Sequence, residues 1–189
     1  MIDAAIVQIA NQLNLALRRS YQVAEDLVVV SSLHEQDGGP AAQSANRIAV
    51  FLVNIERDTV PGSGPRPLGT GRLTVSQPPV NLNLMLMFAA NFGGSTYPEA
   101  LKLIASTISF FQSRPVFNHQ NTPELDGRID RLALDIENLP TGDLANLWGI
   151  LGGRYLPSVL YRMRMVSIDA GQSEGQLSTV REPLTSVRT

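Results

Sequence analysis

The sequence predicts an α+β domain, a mixed and largely antiparallel β-sheet flanked by about three helices. Two observations lead there: apolar residues recur at helical spacing in three stretches, and they alternate or run continuously over strand-length segments in several others. A third is that the two kinds of stretch interleave along the chain instead of falling into separate blocks. At 189 residues the chain is large enough to bury one core without disulfides or metals. One domain is expected over residues 1–168, followed by a polar, flexible C-terminal tail over 169–189.

Asp3 is placed to cap a first helix whose stripe is Ile6, Ile9, Ala10, Leu13 and Leu17, with Arg18 and Arg19 at its negative end. A short β-branched run follows at 27–31, then turn chemistry from Gln36 to Pro40. In the strand expected near 47–56, both alternating sets are apolar, Ile48/Val50/Leu52 and Ala49/Phe51/Val53/Ile55. Such a strand is expected to be central and covered on both faces. Residues 59–79 hold Gly and Pro in quantity and few large apolar side chains, which predicts a long loop or projecting arm. Arg72 to Val75 is expected as the returning leg of a hairpin within it.

Val80, Leu82, Leu84, Leu86 and Phe88 then alternate with Asn81, Asn83, Met85 and Met87. One face is wholly apolar and the other changes from polar to apolar, so the sheet is expected to be unevenly covered there. A second helix is predicted to open on a Thr96/Glu99 capping box, with Pro98 in its first turn and a stripe of Leu101, Ile104, Ile108 and Phe111. Arg114-Pro115 stops it. After a polar loop at 118–127, the segment 128–138 alternates as a half-exposed strand, with Leu132, Leu134 and Ile136 inward and Arg131, Asp135 and Glu137 outward. Thr141 and Asp143 open a third helix bearing Leu144, Leu147, Trp148 and Leu151, closed by Gly152-Gly153. Trp148 is read as core. A last strand is expected over 158–168, and strand order does not follow from these patterns.

Composition excludes more chemistry than it suggests. A net charge of −2 provides no large basic field, so nucleic acid is not expected as a principal partner. With no cysteine there is no disulfide, thiolate nucleophile or cysteine-ligated metal. Only 17% of residues are charged, a low share that burial in an oligomer would explain. The start, Met1 to Ala5, lacks the basic region and cleavage site of a signal peptide, and no apolar run reaches membrane-spanning length. Synthesis in the cytoplasm and no membrane span are therefore expected.

Candidate catalytic groups are sparse. His34 and His119 lie far apart in polar loops without ligand partners at helical spacing. The glycines at 62, 64, 69 and 71 lack the Lys-Ser/Thr ending of a phosphate loop, and no serine sits in a GxSxG elbow. Asp135 and Glu137, two residues apart on one strand face and roughly 7 Å from each other, have a spacing that paired carboxylates can use. The competing reading is cross-strand pairing with Arg162 and Arg164, which show the same spacing. The Met85/Met87 and Met163/Met165 pairs suggest adaptable packing, of the kind a subunit contact uses. No catalytic residue, metal or cofactor is expected.

One run is more specific. Leu144 to Arg164, with Leu147-Trp148-Gly149 and Gly152-Gly153-Arg154-Tyr155-Leu156-Pro157 inside it, resembles the signature of the tail-terminator (cap) proteins of phage-tail-like extracellular contractile injection systems. The run from Leu82 to Phe92, Tyr97-Pro98-Glu99-Ala100-Leu101-Lys102, Phe110-Phe111-Gln112 with Pro115-Val116-Phe117, and Val53 to Arg57 match that family in the same order. The resemblance implies a phage tail-terminator-like fold and a structural subunit without catalysis. It further implies a homo-hexameric ring that caps the distal end of the tail, touches the inner tube protein and the sheath protein, and ends their polymerisation. Assembly in the cytoplasm and release within the particle would follow. A baseplate or sheath-adaptor ring of the same particle is the alternative, with a small enzyme or a monomeric binding module behind it. Interface contacts are expected from the 59–79 arm, with Arg66 and Arg72, and from the edge of the last strand, with Arg162 and Arg164.

Overall fold

The computed structural model describes residues 1–35, 37–58, 72–74, 81–152, 154–167 and 176–178. Among these, helix α1 is Ile2–Tyr21, α2 is Tyr97–Ser113 and α3 is Thr141–Ile150. The strands are β1 Val28–Val30, β2 Arg47–Arg57, β3 Arg72–Thr74, β4 Asn81–Asn91, β5 Val116–Asn118, β6 Ile129–Ile136, β7 Ser158–Ser167 and β8 Gln176–Ser178. Six of them make one sheet in the order β1-β2-β4-β7-β6-β5, in which β1 runs parallel to β2 and every other pairing is antiparallel. The expected mixed, largely antiparallel α+β architecture is thus what the chain adopts.

Two apolar layers cover the sheet, and β4 contributes to both. Leu84, Leu86 and Phe88 face α1 and α2, where they meet Ile9, Leu13, Leu17, Leu103 and Phe111. Phe88, Phe111 and Tyr161 pack their rings 5.0 to 5.6 Å apart, contacts worth about 0.5–1.5 kcal/mol each beyond area burial. On the opposite face Met85, Met87, Ala89 and Leu160 lie under Trp148 of α3. All four methionines of the two pairs are buried within this chain, so they fill its own core and are not a subunit contact.

Several local expectations change. Met1, not Asp3, is the N-cap of α1, and Asp3 sits in the first turn, where its charge suits the positive end of the helix. Thr96 donates its hydroxyl to Gly93 O at 2.8 Å and makes no capping bond, while Glu99 pairs with Lys102 instead of reaching back. The buried stripe of α2 is Ala100, Leu103, Thr107 and Phe111, and Leu101 is exposed. Thr107 is tolerated there because its hydroxyl donates to Leu103 O one turn back. No side chain caps α3. The loop expected from residue 118 is preceded by the short edge strand β5, which pairs Val116, Phe117 and Asn118 with Ala133, Leu132 and Arg131.

β2 is second from the sheet's edge. Ile48 to Val50, beside β1, are buried on both faces, but Leu52 and Ile55, on either side of a bulge between Leu52 and Asn54, are exposed. Asn14 of α1 fixes β1 there: its side-chain oxygen accepts from Leu27 N–H at 2.9 Å and Val28 N–H at 3.2 Å. The other leg of the hairpin expected for β3 lies outside the described residues. β3 itself pairs antiparallel with β8, inside the segment expected to be tail. The rest of the 59–79 arm, Arg66 included, and the rest of the 169–189 tail lie outside the described residues.

Candidate assembly surface

α3 covers only part of its face of the sheet. Where Asn81 and Asn83 replace the methionines on β4, the face becomes a polar platform crossed by two rungs of side chains. One rung is Glu56, Asn83, Arg164 and Ala133, and the next is Asn54, Met85, Arg162 and Asp135. The change from apolar to polar along this face is the one the β4 alternation predicts, although Asn83 is itself buried.

Charges on the platform are largely matched within the chain. Arg162 Nη2 lies 2.8 Å from Glu137 Oε2, and Arg164 Nε lies 3.1 Å from Asp58 Oδ2. The expected β6–β7 neighbourhood therefore exists, and one of the foreseen cross-strand pairs forms. Arg164 instead finds its acid at the end of β2, across β4. Both arginine side chains keep 40–45% of their surface exposed. Asn81 Oδ1, Asn83 Oδ1 and Arg162 Nε are buried without a hydrogen-bond partner. The strand of Arg162 and Arg164 contributes no edge, however: β7 is paired with β4 on one side and β6 on the other, so the expected edge of the last strand is corrected to an interior position. Arg72 lies in β3, opposite Ser178.

Among the described residues, the strand edges without a partner lie elsewhere. β1 pairs with β2 only as far as Val50, which leaves Phe51–Arg57 without a described neighbour on that side. At the other end of the sheet β5 covers only the first part of β6. Open strand edges offer rows of unpaired backbone groups for another chain to bind. Sequence reasoning missed both because they depend on how short β1 and β5 are; the clue available was that Val28–Val30 has only three clearly β-branched residues.

The candidate catalytic groups do not converge. Glu137 is held by Arg162, and Asp135, which borders a groove beside α2, stands there without it. His119 Nε2 is engaged with Ile129 O at 2.8 Å, and His34 packs against Gly152. Among the described residues no group of three or more His, Cys, Asp or Glu could hold a metal ion. No helix among them is long and apolar enough to cross a membrane.

Comparison with known proteins gives a consistent result. The chain matches the family described as the Pvc16 N-terminal domain over residues 8–182. No curated protein matches it significantly. Among solved structures it is similar to the sheath/tube terminator of an extracellular contractile injection system, PVC, in its extended state. That likeness has a TM-score of 0.63 at 18% identity and covers 97% of this chain and 63% of the other. It is also similar to the tube-terminating cap of the anti-feeding prophage, with a TM-score of 0.59 at 19% identity, covering 94% of this chain and 60% of that one. The fold is shared, and the chain spans about three fifths of the length of either structure.

Proposed function

This chain belongs to the Pvc16 N-terminal domain family, and from that membership we propose that it is a structural tail-terminator, a cap subunit on the end of a contractile injection particle. The family match over residues 8–182 is the observation that carries the reading. The shared fold with a sheath/tube terminator and a tube-terminating cap supports it.

The mechanism is one of covering and stopping. A growing tube or sheath end exposes unpaired strand edges and apolar contact surface, and a ring that binds them but offers no equivalent surface on its far side halts addition. The subunit's asymmetry suits that task. One face of its sheet is clad by α1 and α2, and the other carries α3 beside a polar platform, with strand edges at both ends of the sheet that have no partner among the described residues. Such a subunit can bind on one side and present a different surface on the other.

In this reading the subunits form a homo-hexameric ring that contacts the inner tube protein and the sheath protein. Assembly takes place in the cytoplasm, and the cap leaves the cell as part of the particle. The role requires no catalysis and no cofactor. Addition of the purified subunit to growing inner tubes tests it: tube growth should stop and rings should decorate one end. Continued elongation at an undiminished rate, with bare ends and a monomeric subunit, would refute it.

A further inference from the structure

The sheet ends unevenly on the side away from β1. β5 meets β6 from Arg131 to Ala133, and the ladder closes where Leu134 N–H donates to Pro115 O at 2.8 Å. β6 continues to Ile136, and Glu137 N–H turns the other way to donate to Leu160 O at 2.9 Å. Backbone groups alternate sides along a strand, so Ile136 carries both its N–H and its C=O outward. No described strand pairs with it there.

A groove lies beside this open rung. Ile108, Gln112 and Pro115 line it from α2 and its exit, and Asp135, Ile136 and Tyr161 line it from the sheet. Ile136 is 46% exposed, an apolar side chain left at a free edge. Tyr161 is only 2% exposed, yet its hydroxyl is buried without a hydrogen-bond partner, which is a cost to the isolated fold. Asp135 is exposed and has no ion-pair partner among the described residues, since Glu137 takes Arg162 and Asp58 takes Arg164.

We propose that the open rung at Ile136 and its groove receive an extended segment of another protein of the particle, added as a strand beside β6, with an apolar side chain against Ile108 and Ile136 and a lysine or arginine beside Asp135. Strand addition takes its affinity from backbone hydrogen bonds and its selectivity from the side chains that flank them, and here the flanking chemistry is apolar on one face and acidic on the other. This inference rests on the cap reading and names the kind of partner surface the cap would meet.

The second edge of this chain that lacks a partner among the described residues is a poor occupant. Phe51–Arg57 of another copy, laid antiparallel with the apolar faces together, sets Ile55 opposite Ile136 and Glu56 opposite Asp135. Moved by two residues, it sets Arg57 opposite Ile136 and Glu56 opposite Glu137. A further move in the other direction is blocked by β5, which already pairs with Ala133. Both open registers place like charges directly across from each other, which is destabilising.

Hydrogen exchange on capped particles and on the free subunit tests the proposal. The Ile136 amide should exchange freely in the subunit and at least tenfold more slowly in capped particles. Ile136→Pro removes the outward N–H without breaking an internal hydrogen bond, and Asp135→Asn removes the local charge without setting a like charge opposite Arg162. Each should lower the fraction of capped particles several-fold, with an unfolding midpoint for Asp135→Asn close to that of the wild type. An Ile136 amide that exchanges equally fast in both states, with caps in place, overturns the proposal and leaves the cap reading standing. Protection already present in oligomers of the subunit alone would assign the groove to a second copy and overturn it as well. Wild-type subunit absent from particle ends would instead defeat the cap reading itself.

Discussion

Arg162 Nη2 stands 2.8 Å from Glu137 Oε2, although the strand ladder sets Arg162 opposite Asp135. The arginine reaches diagonally to Glu137, the residue that follows β6. Both partners retain solvent contact, so the pair is worth about 0.2–1 kcal/mol. In a double-mutant cycle, Arg162→Glu should destabilise the subunit, and Glu137→Arg in the same chain should restore part of the loss. Urea unfolding midpoints measure it, and a coupling of zero would remove the pair from the account.

Trp148 anchors the smaller apolar layer. It is 3% exposed and packs edge-on with Tyr155 at a centroid distance of 5.6 Å, while its indole N–H has no partner. Trp148→Ala should cost about 3–5 kcal/mol by emptying the space under α3. Trp148→Phe should cost clearly less, because it keeps a ring there and deletes the unpaired donor. Equal losses in chemical unfolding would mean that the N–H is bonded after all.

Burial pushes the Tyr161 hydroxyl up to about 12. An ordinary tyrosine lies at about 10. Between those values the folded chain keeps a proton that the unfolded chain releases, so this group's contribution is intact below about pH 10 and is lost as the pH rises through about 12. Tyr161→Phe should therefore raise subunit stability by about 1 kcal/mol near neutrality and shrink the alkaline loss. Thermal unfolding of both proteins from pH 7 to 11 shows it, and an identical pH dependence would contradict it.

Gly152, with φ +102, follows α3 where a Cβ would come 2.7 Å from His34 Cε1. Gly152→Ala should cost about 1–3 kcal/mol from backbone strain, with the clash added to it. His34→Ala in the same chain should recover only the clash. Complete recovery would show that the positive φ costs nothing at this position.

Much of this fold is legible in the residues because the sheet is buried on two sides. The alternation of Leu84, Leu86 and Phe88 with Met85 and Met87 is a period-two pattern that only a strand between two layers requires. Trp148 and its leucines mark α3 in the same way. The stripe of α2 was harder, since apolar residues lie around more than one side of that helix and Leu101 is exposed while Ala100 and Thr107 are buried. Strand order was not legible at all. The pairing of Arg162 with Glu137 was foreseeable as a condition on neighbouring strands, but Arg164 with Asp58 requires β2, β4 and β7 to be adjacent, which no local pattern encodes. The open rung at Ile136 is hidden for a related reason: it exists only because β5 is three residues long.

Deletion of this subunit from the producing cell, followed by electron microscopy of the particles, tests the terminator role most directly. The account predicts particles that lack distal caps and have lost length control, with a broad distribution where the wild type is uniform. Particles of normal, uniform length with intact ends would contradict it.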